Sequence, residues 1–332
     1  MKTRIAFFDA KPYDEASFRE RNQQHGFEIK FHKSHLSKDN AILTKGADVV
    51  CIFVNAEVDA EVIDILVENG VKLIALRSAG YNNVDLKAAK GKIKVVRVPA
   101  YSPHSIAEHT IALMLTLNRK IHKAYTRTRD GNFALEGLLG FEMNGKTAGI
   151  IGTGKIGKIV IQILKSMGMN VLAYDLFPDT QFAEKNDIRY TQLDELYQLS
   201  DVISLHCPLT KETEYLINEN SIKKMKNGVM IINTGRGKLI KTKALIDGLK
   251  SKKIGYAGLD VYEEEGDYFY EDHSDIVIDD DILARLLTFN NVIVTSHQAF
   301  FTKEALSEIA RITLQNIQDF VDGKPLVNEI SA

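Results

Sequence analysis

Short apolar runs alternate along the first hundred residues with stretches whose apolar positions recur at helical spacing. The runs that predict buried strands lie at 2–8, 48–54, 71–76 and 93–98. Residues 60–68, between the second and third runs, have the spacing of a helix, and residues 86–90 precede the last run. Strands that alternate with helices favour a parallel sheet with crossover connections. We therefore predict a small α/β domain that ends at Pro99.

From residue 101 the apolar positions follow a longer helical period. Those from Ile106 to Ile121 share one face, which predicts a single helix over 101–129 that connects two domains. Further strand-like runs follow at 147–151, 170–174, 201–206, 228–233, 255–260 and 291–295. A last helix, 302–321, has no obvious place in this second sheet, and we expect it to return to the first domain. The predicted fold class is α/β, with two Rossmann-like, doubly wound parallel-sheet domains: a discontinuous one of residues 1–100 and 300–332, and one of residues 101–299.

A glycine-rich turn lies between the strand that begins at Thr147 and the helical stretch 155–167. Gly152 is placed to make the bend, Gly154 to let a pyrophosphate approach the backbone, and Gly157 to let helix and strand pack closely. Because the chain contains 22 Gly, this spacing alone is weak evidence for a nucleotide site. The interpretation rests on the position of the glycines between a strand and a helix. The pattern predicts a dinucleotide site with the phosphates at the helix N-terminus.

The next strand ends at Asp175, 21 residues after Gly154. A carboxylate at this position accepts hydrogen bonds from ribose hydroxyls and repels a 2′-phosphate. Residues 176–179 contain no Arg or Lys to hold such a phosphate. The sequence therefore favours NAD over NADP as cofactor.

Polar residues follow four later strands at their carboxyl ends, where open α/β sheets bind ligands. The segments are His206-Cys207-Pro208, Asn233-Thr234-Gly235-Arg236-Gly237, Asp260-Val261-Tyr262-Glu263-Glu264-Glu265 and Thr295-Ser296-His297-Gln298-Ala299. Arg236, between two glycines, can bind a substrate carboxylate with two parallel hydrogen bonds. Three consecutive acids are usually solvated, so position alone does not single out one of Glu263 to Glu265.

His297 is the candidate acid among nine histidines, since it lies at a strand end and is followed by aromatic residues. A neighbouring carboxylate keeps a histidine protonated near neutrality and ready to donate a proton. His206 is its one rival at a strand end of the second sheet. We otherwise interpret His206 as part of the wall of an adenine or ribose pocket.

Four segments together resemble motifs of the D-2-hydroxyacid dehydrogenase family. They are VPAYSPHSIAEHT (98–110), NTGRG (233–237), DVYEEE (260–265) continued by residues 268–272, and SHQAF (296–300). The resemblance covers essentially all 332 residues and is strongest to the bacterial fermentative D-lactate dehydrogenases. It implies NADH-dependent, reversible reduction of pyruvate to D-lactate, with glyoxylate, hydroxypyruvate or a branched-chain 2-keto acid as alternative substrates. An NADH-sensing regulatory protein on the same fold is a further alternative, which the complete set of Arg, Glu and His disfavours.

The resemblance also implies roles for single residues: Arg236 binds the substrate, His297 is the general acid/base and Glu265 pairs with it. From motif, strand-end position or resemblance, cofactor contacts are expected at Gly152, Gly154, Lys155, Ile156, Gly157, Asp175, His206, Cys207, Pro208, Thr234, Gly235 and Asp260. Substrate contacts are expected from the backbone of Ser78, Ala79 and Gly80 and from Tyr101, together with Arg236 and His297. Residues 1–100 and 300–332 thereby become the substrate domain, and residues 101–299 the NAD-binding domain.

Charge and composition limit the classes of partner that the sequence favours. Basic and acidic residues nearly balance, 42 against 44, so nothing electrostatic favours nucleic acid or an anionic membrane. The longest helical apolar run, 111–117, is far below the roughly 20 residues that span a bilayer. Cys51 and Cys207 lie in apolar segments, as buried thiols of a reducing compartment do, and their spacing suits no metal. We expect a cytoplasmic enzyme with a small-molecule substrate and no metal, and a homo-oligomer, dimer or tetramer, with the helix over 101–129 as a candidate contact surface.

Overall fold

The computed structural model describes residues 2–332, except for the side chain of Asp267. The strands are β1 (Arg4–Phe7), β2 (Glu28–Phe31), β3 (Val49–Ile52), β4 (Leu73–Leu76), β5 (Lys94–Val96), β6 (Thr147–Ile151), β7 (Asn170–Tyr174), β8 (Arg189–Tyr190), β9 (Val202–Leu205), β10 (Val229–Asn233), β11 (Ile254–Leu259) and β12 (Val292–Val294). The α-helices are α1 (Pro12–Asn22), α2 (Ala60–Glu68), α3 (Leu86–Ala89), α4 (Pro103–Arg119), α5 (Ile121–Arg129), α6 (Lys155–Ser166), α7 (Thr180–Asn186), α8 (Leu193–Leu199), α9 (Glu219–Lys224), α10 (Thr242–Lys250), α11 (Asp281–Leu287) and α12 (Lys303–Val321). Short 3₁₀ helices lie at Lys38–Thr44, Gly237–Leu239 and Glu265–Asp267.

The chain divides into two compact units. The first unit runs to Ser102 and resumes from Phe301 to Ala332, and the second unit is Pro103–Phe300. Each unit contains one parallel sheet with helical connections. The predicted fold class, α/β with two parallel-sheet domains, is confirmed.

The first unit is built on a five-stranded parallel sheet of order β2-β1-β3-β4-β5. β3 and β4 are buried at every position, as continuous apolar strands covered on both faces are. One face of the sheet packs through Val50 and Ile74. The other packs through Cys51 and Leu73 against Leu314 of α12, so the C-terminal segment completes the core of this unit.

The second unit contains seven parallel strands in the order β12-β11-β10-β9-β6-β7-β8. The strand order reverses between β6 and β9, and doubly wound sheets bind ligands beyond the carboxyl ends of the strands at such a point. α4 lies close to the sheet because Gly258 in β11 has no side chain. A Cβ at Gly258 would lie 3.0 Å from Leu117 and 3.3 Å from Leu113, both of α4.

The prediction of a single helix over 101–129 is wrong. α4 ends at Arg119 and α5 begins at Ile121, because Lys120 has φ 51, in the left-handed region, and interrupts the helical path. Lys120 Nζ donates to the carbonyl oxygen of Leu139 at 2.6 Å, which stabilises the break. The apolar pattern also does not predict β2 and β8, which form sheet edges and are only partly buried.

Across residues 2–332, no helix is both long enough and apolar enough to cross a bilayer.

Candidate active site

The turn after β6 has the geometry of a phosphate-binding loop. Gly152 has φ 94, and a Cβ there would lie 2.4 Å from the backbone nitrogen of Cys207. A Cβ at Gly157 would lie 2.1 Å from the carbonyl oxygen of Gly152, so packing within the protein requires both glycines. At Gly154 an added Cβ meets no atom within 4 Å. Packing within the protein therefore does not require this glycine, and its contact with a pyrophosphate at the start of α6 stays a prediction.

The carboxylate that follows β7 is held by the same turn. Asp175 Oδ2 accepts hydrogen bonds from the backbone N–H of Thr153 at 2.6 Å and from its hydroxyl at 3.0 Å, and Oδ1 accepts from the N–H of Phe177 at 2.9 Å. Burial alone opposes ionisation, but the hydrogen bonds from Phe177 and Thr153 outweigh it and lower the pKa of Asp175. Asp175 is therefore a fixed negative charge at neutral pH. No pattern in the sequence points to Thr153 except its position inside the glycine turn.

His206 and Cys207, after β9, are uncharged at neutral pH. His206 Nε2 lies 2.9 Å from the hydroxyl of Ser204. Although part of each residue is accessible to solvent, enclosure by protein lowers the pKa of His206 to about 4 and raises that of the Cys207 thiol to about 11. His206 therefore carries no imidazolium proton to donate near neutrality.

Other residues predicted to contact the cofactor lie at nearby strand ends and helix starts. Lys155 and Ile156 form the first turn of α6. Thr234 is buried, and its hydroxyl lies 2.9 Å from that of Thr110 in α4.

The loop after β10 carries Arg236 and is clamped by a buried amide. Asn233 accepts a hydrogen bond from the N–H of Gly235 at 3.0 Å and donates to the carbonyl of Arg236 at 2.9 Å. A Cβ at Gly237 would lie 1.8 Å from the carbonyl oxygen of Tyr262, so this glycine brings the loop against the segment after β11. The guanidinium donates to the carbonyl of Gly235 at 2.8 Å, and among the described side chains no carboxylate pairs with it. Its other N–H groups suit a ligand carboxylate.

Glu265 and His297 are in direct contact. His297 Nδ1 lies 2.9 Å from Glu265 Oε1, and Glu265 Oε2 accepts the backbone N–H of Tyr262 at 3.0 Å. Both side chains remain partly accessible to solvent. Because Nδ1 faces the carboxylate, Nε2 is the ring nitrogen left to exchange a proton with a ligand.

The neighbouring acids have other partners. Glu263 accepts the hydroxyl of Tyr215 at 2.5 Å and the N–H of Thr242 at 3.0 Å. Glu264 lies 3.9 Å from the ammonium of Lys238. The different partners of these three consecutive acids thus distinguish them, which the sequence pattern alone does not.

The backbone of His297 has a conformation that its surroundings must hold. Its φ is 51, in the left-handed region that few residues other than glycine occupy. Its N–H donates to the carbonyl of Asp260 at 2.7 Å and to that of Thr295 at 3.0 Å, and the hydroxyl of Tyr270 donates to the His297 carbonyl at 3.3 Å. The direction of the imidazole therefore depends on the segment after β11.

Asp260 holds the same loop through its carboxylate. It is 0% exposed and accepts hydrogen bonds from the hydroxyl of Thr295 at 2.6 Å, the N–H of Gln298 at 2.9 Å and the N–H of Ala299 at 2.8 Å. Both carboxylate oxygens of Asp260 thus have partners within the protein. A contact of Asp260 with the cofactor stays a prediction. His109 of α4 also approaches this carboxylate. His109 lies in the segment 98–110 and Thr295 in the strand-end segment 295–299, but their types and spacing gave no reason to select them.

The residues predicted to contact substrate, apart from Arg236 and His297, belong to the first unit. The hydroxyl of Ser78 donates to the carbonyl of Gly80 at 2.8 Å, and Arg97 donates to the carbonyl of Ala79 at 2.7 Å. These bonds fix the short loop after β4. Tyr101 lies near the end of the unit's first segment.

Buried Arg77 supports that loop at its start. Its guanidinium donates to the carbonyls of Phe8 at 3.1 Å and Asp9 at 2.6 Å. The rings of Phe7 and Phe53 lie 4.6 and 4.8 Å from it, within the range of a cation–π contact. The sequence pattern does not signal this role.

Within the second unit, the three predicted catalytic residues share one edge of the sheet. Arg236, Glu265 and His297 follow β10, β11 and β12, which are neighbours in the sheet. The phosphate-binding turn follows β6, separated from β10 only by β9. The predicted dinucleotide site and the three predicted catalytic residues therefore lie at the carboxyl ends of nearby strands of one sheet.

Comparison with known proteins shows similarity over nearly the whole chain. Residues 111–299 match the model of the family described as D-isomer specific 2-hydroxyacid dehydrogenase, NAD binding domain. D-lactate dehydrogenase of Escherichia coli is 51% identical over 328 residues, 98% of this chain and 99% of that protein. The apo-structure of D-lactate dehydrogenase from Escherichia coli has a TM-score of 0.92 and 49% identity, over 99% of this chain and 100% of that one. The pyruvate reductase of Chlamydomonas reinhardtii has a TM-score of 0.94 and 46% identity, over 98% of each chain.

Proposed function

We propose, since this chain belongs to the D-isomer specific 2-hydroxyacid dehydrogenase family, that it is an NAD-dependent D-lactate dehydrogenase, which reduces pyruvate to D-lactate reversibly. The family makes the chain an NAD-dependent oxidoreductase. The main structural support for this reaction is the 2.9 Å contact between His297 and Glu265. These residues follow β12 and β11, and β11 is the neighbour of β10, which the Arg236 loop follows. Pyruvate as substrate is supported by the relatives, which are a D-lactate dehydrogenase and a pyruvate reductase.

In the proposed mechanism, Arg236 binds the carboxylate of pyruvate with two parallel hydrogen bonds and so orients the carbonyl. NADH, when bound in the second unit, would supply the hydride that the carbonyl carbon accepts. His297 transfers the proton on Nε2 to the carbonyl oxygen, and this proton together with the hydride turns the C=O group into CH–OH. Glu265 orients the ring through Nδ1–H and stabilises the imidazolium before transfer. The neutral His297 then regains a proton from solvent.

The proposed cofactor contacts follow the carboxyl ends of the strands. The start of α6, with Gly154, Lys155 and Ile156, binds the pyrophosphate, and Asp175 binds the ribose hydroxyls. The remaining proposed contacts are His206, Cys207, Pro208, Thr234, Gly235 and Asp260. The backbone of residues 78–80 and the side chain of Tyr101 are proposed to contact the substrate, which makes the first unit the substrate domain.

Replacing Asp175 with alanine is expected to weaken the preference for NADH over NADPH. The charged carboxylate repels a 2′-phosphate, and its lowered pKa keeps that charge throughout the neutral range. The ratio of kcat/KM with NADH to kcat/KM with NADPH should fall by about tenfold or more. Asp187→Ala, which removes an exposed carboxylate after α7, should leave the ratio unchanged. If Asp175→Ala also leaves it unchanged, the carboxylate does not contact the ribose.

Steady-state kinetics with NADH and a panel of keto acids test the proposed function. Pyruvate should give a higher kcat/KM than glyoxylate, hydroxypyruvate or 4-methyl-2-oxopentanoate, and chiral analysis should identify the product as D-lactate. A higher kcat/KM with another acid would keep the family's reaction and change the substrate, whereas L-lactate as product would contradict the proposal. Tight NADH binding without turnover of any acid would favour an NADH-sensing regulatory protein.

We further propose a homo-oligomer, dimer or tetramer, that forms through α5 and the segment after it. Apolar side chains are exposed there: Phe133 is 75%, Leu135 80% and Leu139 85% accessible. Clustered exposed apolar groups are typical of protein contact surfaces. Sedimentation velocity should give a mass of at least two chains of 37.2 kDa, and Leu135→Asp with Leu139→Asp should shift it to one. Val277→Asp, at another exposed apolar position, is the control, and a monomeric wild type would contradict the proposal.

A cytoplasmic location is also proposed. Cys51 and Cys207 are free thiols, which suits a reducing compartment. Cell fractionation tests this location, and recovery outside the cytoplasmic fraction would contradict it.

A further inference from the structure

One buried residue, Asp260, binds the loop that carries His297 through both its backbone and its side chain. Asp260 accepts the backbone N–H of His297 with its carbonyl, and its carboxylate accepts hydrogen bonds from Thr295, Gln298 and Ala299. The carboxylate is fully buried, so water does not compensate a lost partner. Whatever fixes the orientation of Asp260 therefore also fixes the left-handed backbone of His297.

His109 is the basic side chain that reaches this carboxylate. Its Nε2 lies 3.2 Å from the hydroxyl oxygen of Thr295 and 3.3 Å from Asp260 Oδ1. Thr295 already donates its hydroxyl hydrogen to Asp260, so its oxygen can only accept from His109. A carboxylate oxygen also accepts. Both contacts therefore require a hydrogen on Nε2, and His109 is a donor to the cluster.

The contact of His109 connects the beginning and the end of the second unit. α4 begins at Pro103, the first residue of the second unit, and the loop of His297 leads to Phe300, its last residue. His109 thus joins the helix with which the chain enters this unit to the loop with which it leaves. A movement of α4 relative to the sheet would change the contacts of His109 with Asp260 and Thr295.

We propose that His109 is a positioning residue, whose Nε2–H holds the Asp260–Thr295 cluster so that His297 is kept in its reactive conformation. This inference rests on the proposed function, because it takes His297 as the proton donor. His109 itself need not contact substrate or cofactor.

The test compares His109→Leu, His109→Gln and His104→Leu with the wild type in pyruvate reduction. Gln can place an amide N–H near the position of Nε2, and His104 is an exposed histidine on the same helix. We expect His109→Leu to lower kcat by about tenfold or more, because small displacements of a catalytic group are costly, with little change in KM. His109→Gln should keep kcat within a few-fold of the wild type, and His104→Leu should match it.

Two readouts separate misplacement of His297 from loss of folded protein. Titration with NADH, followed by its fluorescence, counts binding sites and should give the same number and Kd in every variant. With NADH deuterated at the transferred position, the isotope effect on kcat should rise in His109→Leu, since slower chemistry becomes rate-limiting. An unchanged kcat in His109→Leu, or a loss in both His109 variants without a larger isotope effect, would overturn the inference.

The wild type and His297→Ala, measured in the same assay, keep the two proposals apart. If the wild type turns over pyruvate, His297→Ala does not, and His109→Leu is normal, only the role of His109 falls. If the wild type does not reduce pyruvate, the proposed function falls and this inference with it.

Discussion

Replacing His297 is expected to lower kcat for pyruvate reduction by about 10²-fold or more, the range for a lost general acid. Its Nε2 is the nitrogen that the contact with Glu265 leaves available. We do not expect His206 to take over the transfer, because its pKa of about 4 leaves it a neutral imidazole, without the imidazolium proton, at neutral pH. Steady-state kcat, with NADH binding measured separately, checks the result.

The choice of replacement matters because His297 has a φ of 51. Asparagine adopts the left-handed region more readily than most residues, so His297→Asn removes the imidazole with the least change to the loop. His297→Ala and His297→Asn should therefore show similar losses of kcat, with NADH affinity kept. His104→Ala, on an exposed histidine of the same unit, is the control. Turnover near that of the wild type in both His297 variants would mean that another group donates the proton.

Arg236→Lys is expected to lower kcat/KM for pyruvate by about 10²-fold or more although the positive charge is retained. A guanidinium presents two parallel N–H donors to a carboxylate, whereas an ammonium is a point charge on a flexible chain. Loss of one oriented donor near the reacting atoms alone costs about 10² to 10³ in rate. The buried clamp of Asn233 shows that the loop is built to hold the backbone of residue 236 in one place.

Kinetics with pyruvate and with NADH as varied substrates separate the possible effects of this substitution. The loss should appear with varied pyruvate, while KM for NADH stays close to that of the wild type. Lys238→Ala removes a cation two residues further on, next to Glu264, and should leave kcat/KM almost unchanged. Equal efficiency of Arg236→Lys and wild type would mean that Arg236 does not bind the carboxylate.

The element pattern was predictable where it is encoded locally. Strand β7 and helix α2 follow from apolar runs and helical spacing, because periodicity reports which face of an element is buried. Lys120 shows the limit of this reasoning. Lysine is compatible with a continuous helix, so the residue type does not indicate a break. The carbonyl that binds the Lys120 ammonium belongs to Leu139, 19 residues further along the chain.

By itself the sequence determined the fold class, the glycine turn with Asp175, and the strand ends at which Arg236 and His297 lie, because glycine spacing, apolar runs and polar strand ends are local properties of the chain. The tertiary structure alone decided that Asp260 binds the loop of His297 and that His109 donates to it. These hydrogen bonds join residues that are 35 to 186 positions apart, and their partners are set by the packing of α4 and β11. A residue type states which hydrogen bonds a side chain can make, but only the fold brings one particular donor to one particular acceptor.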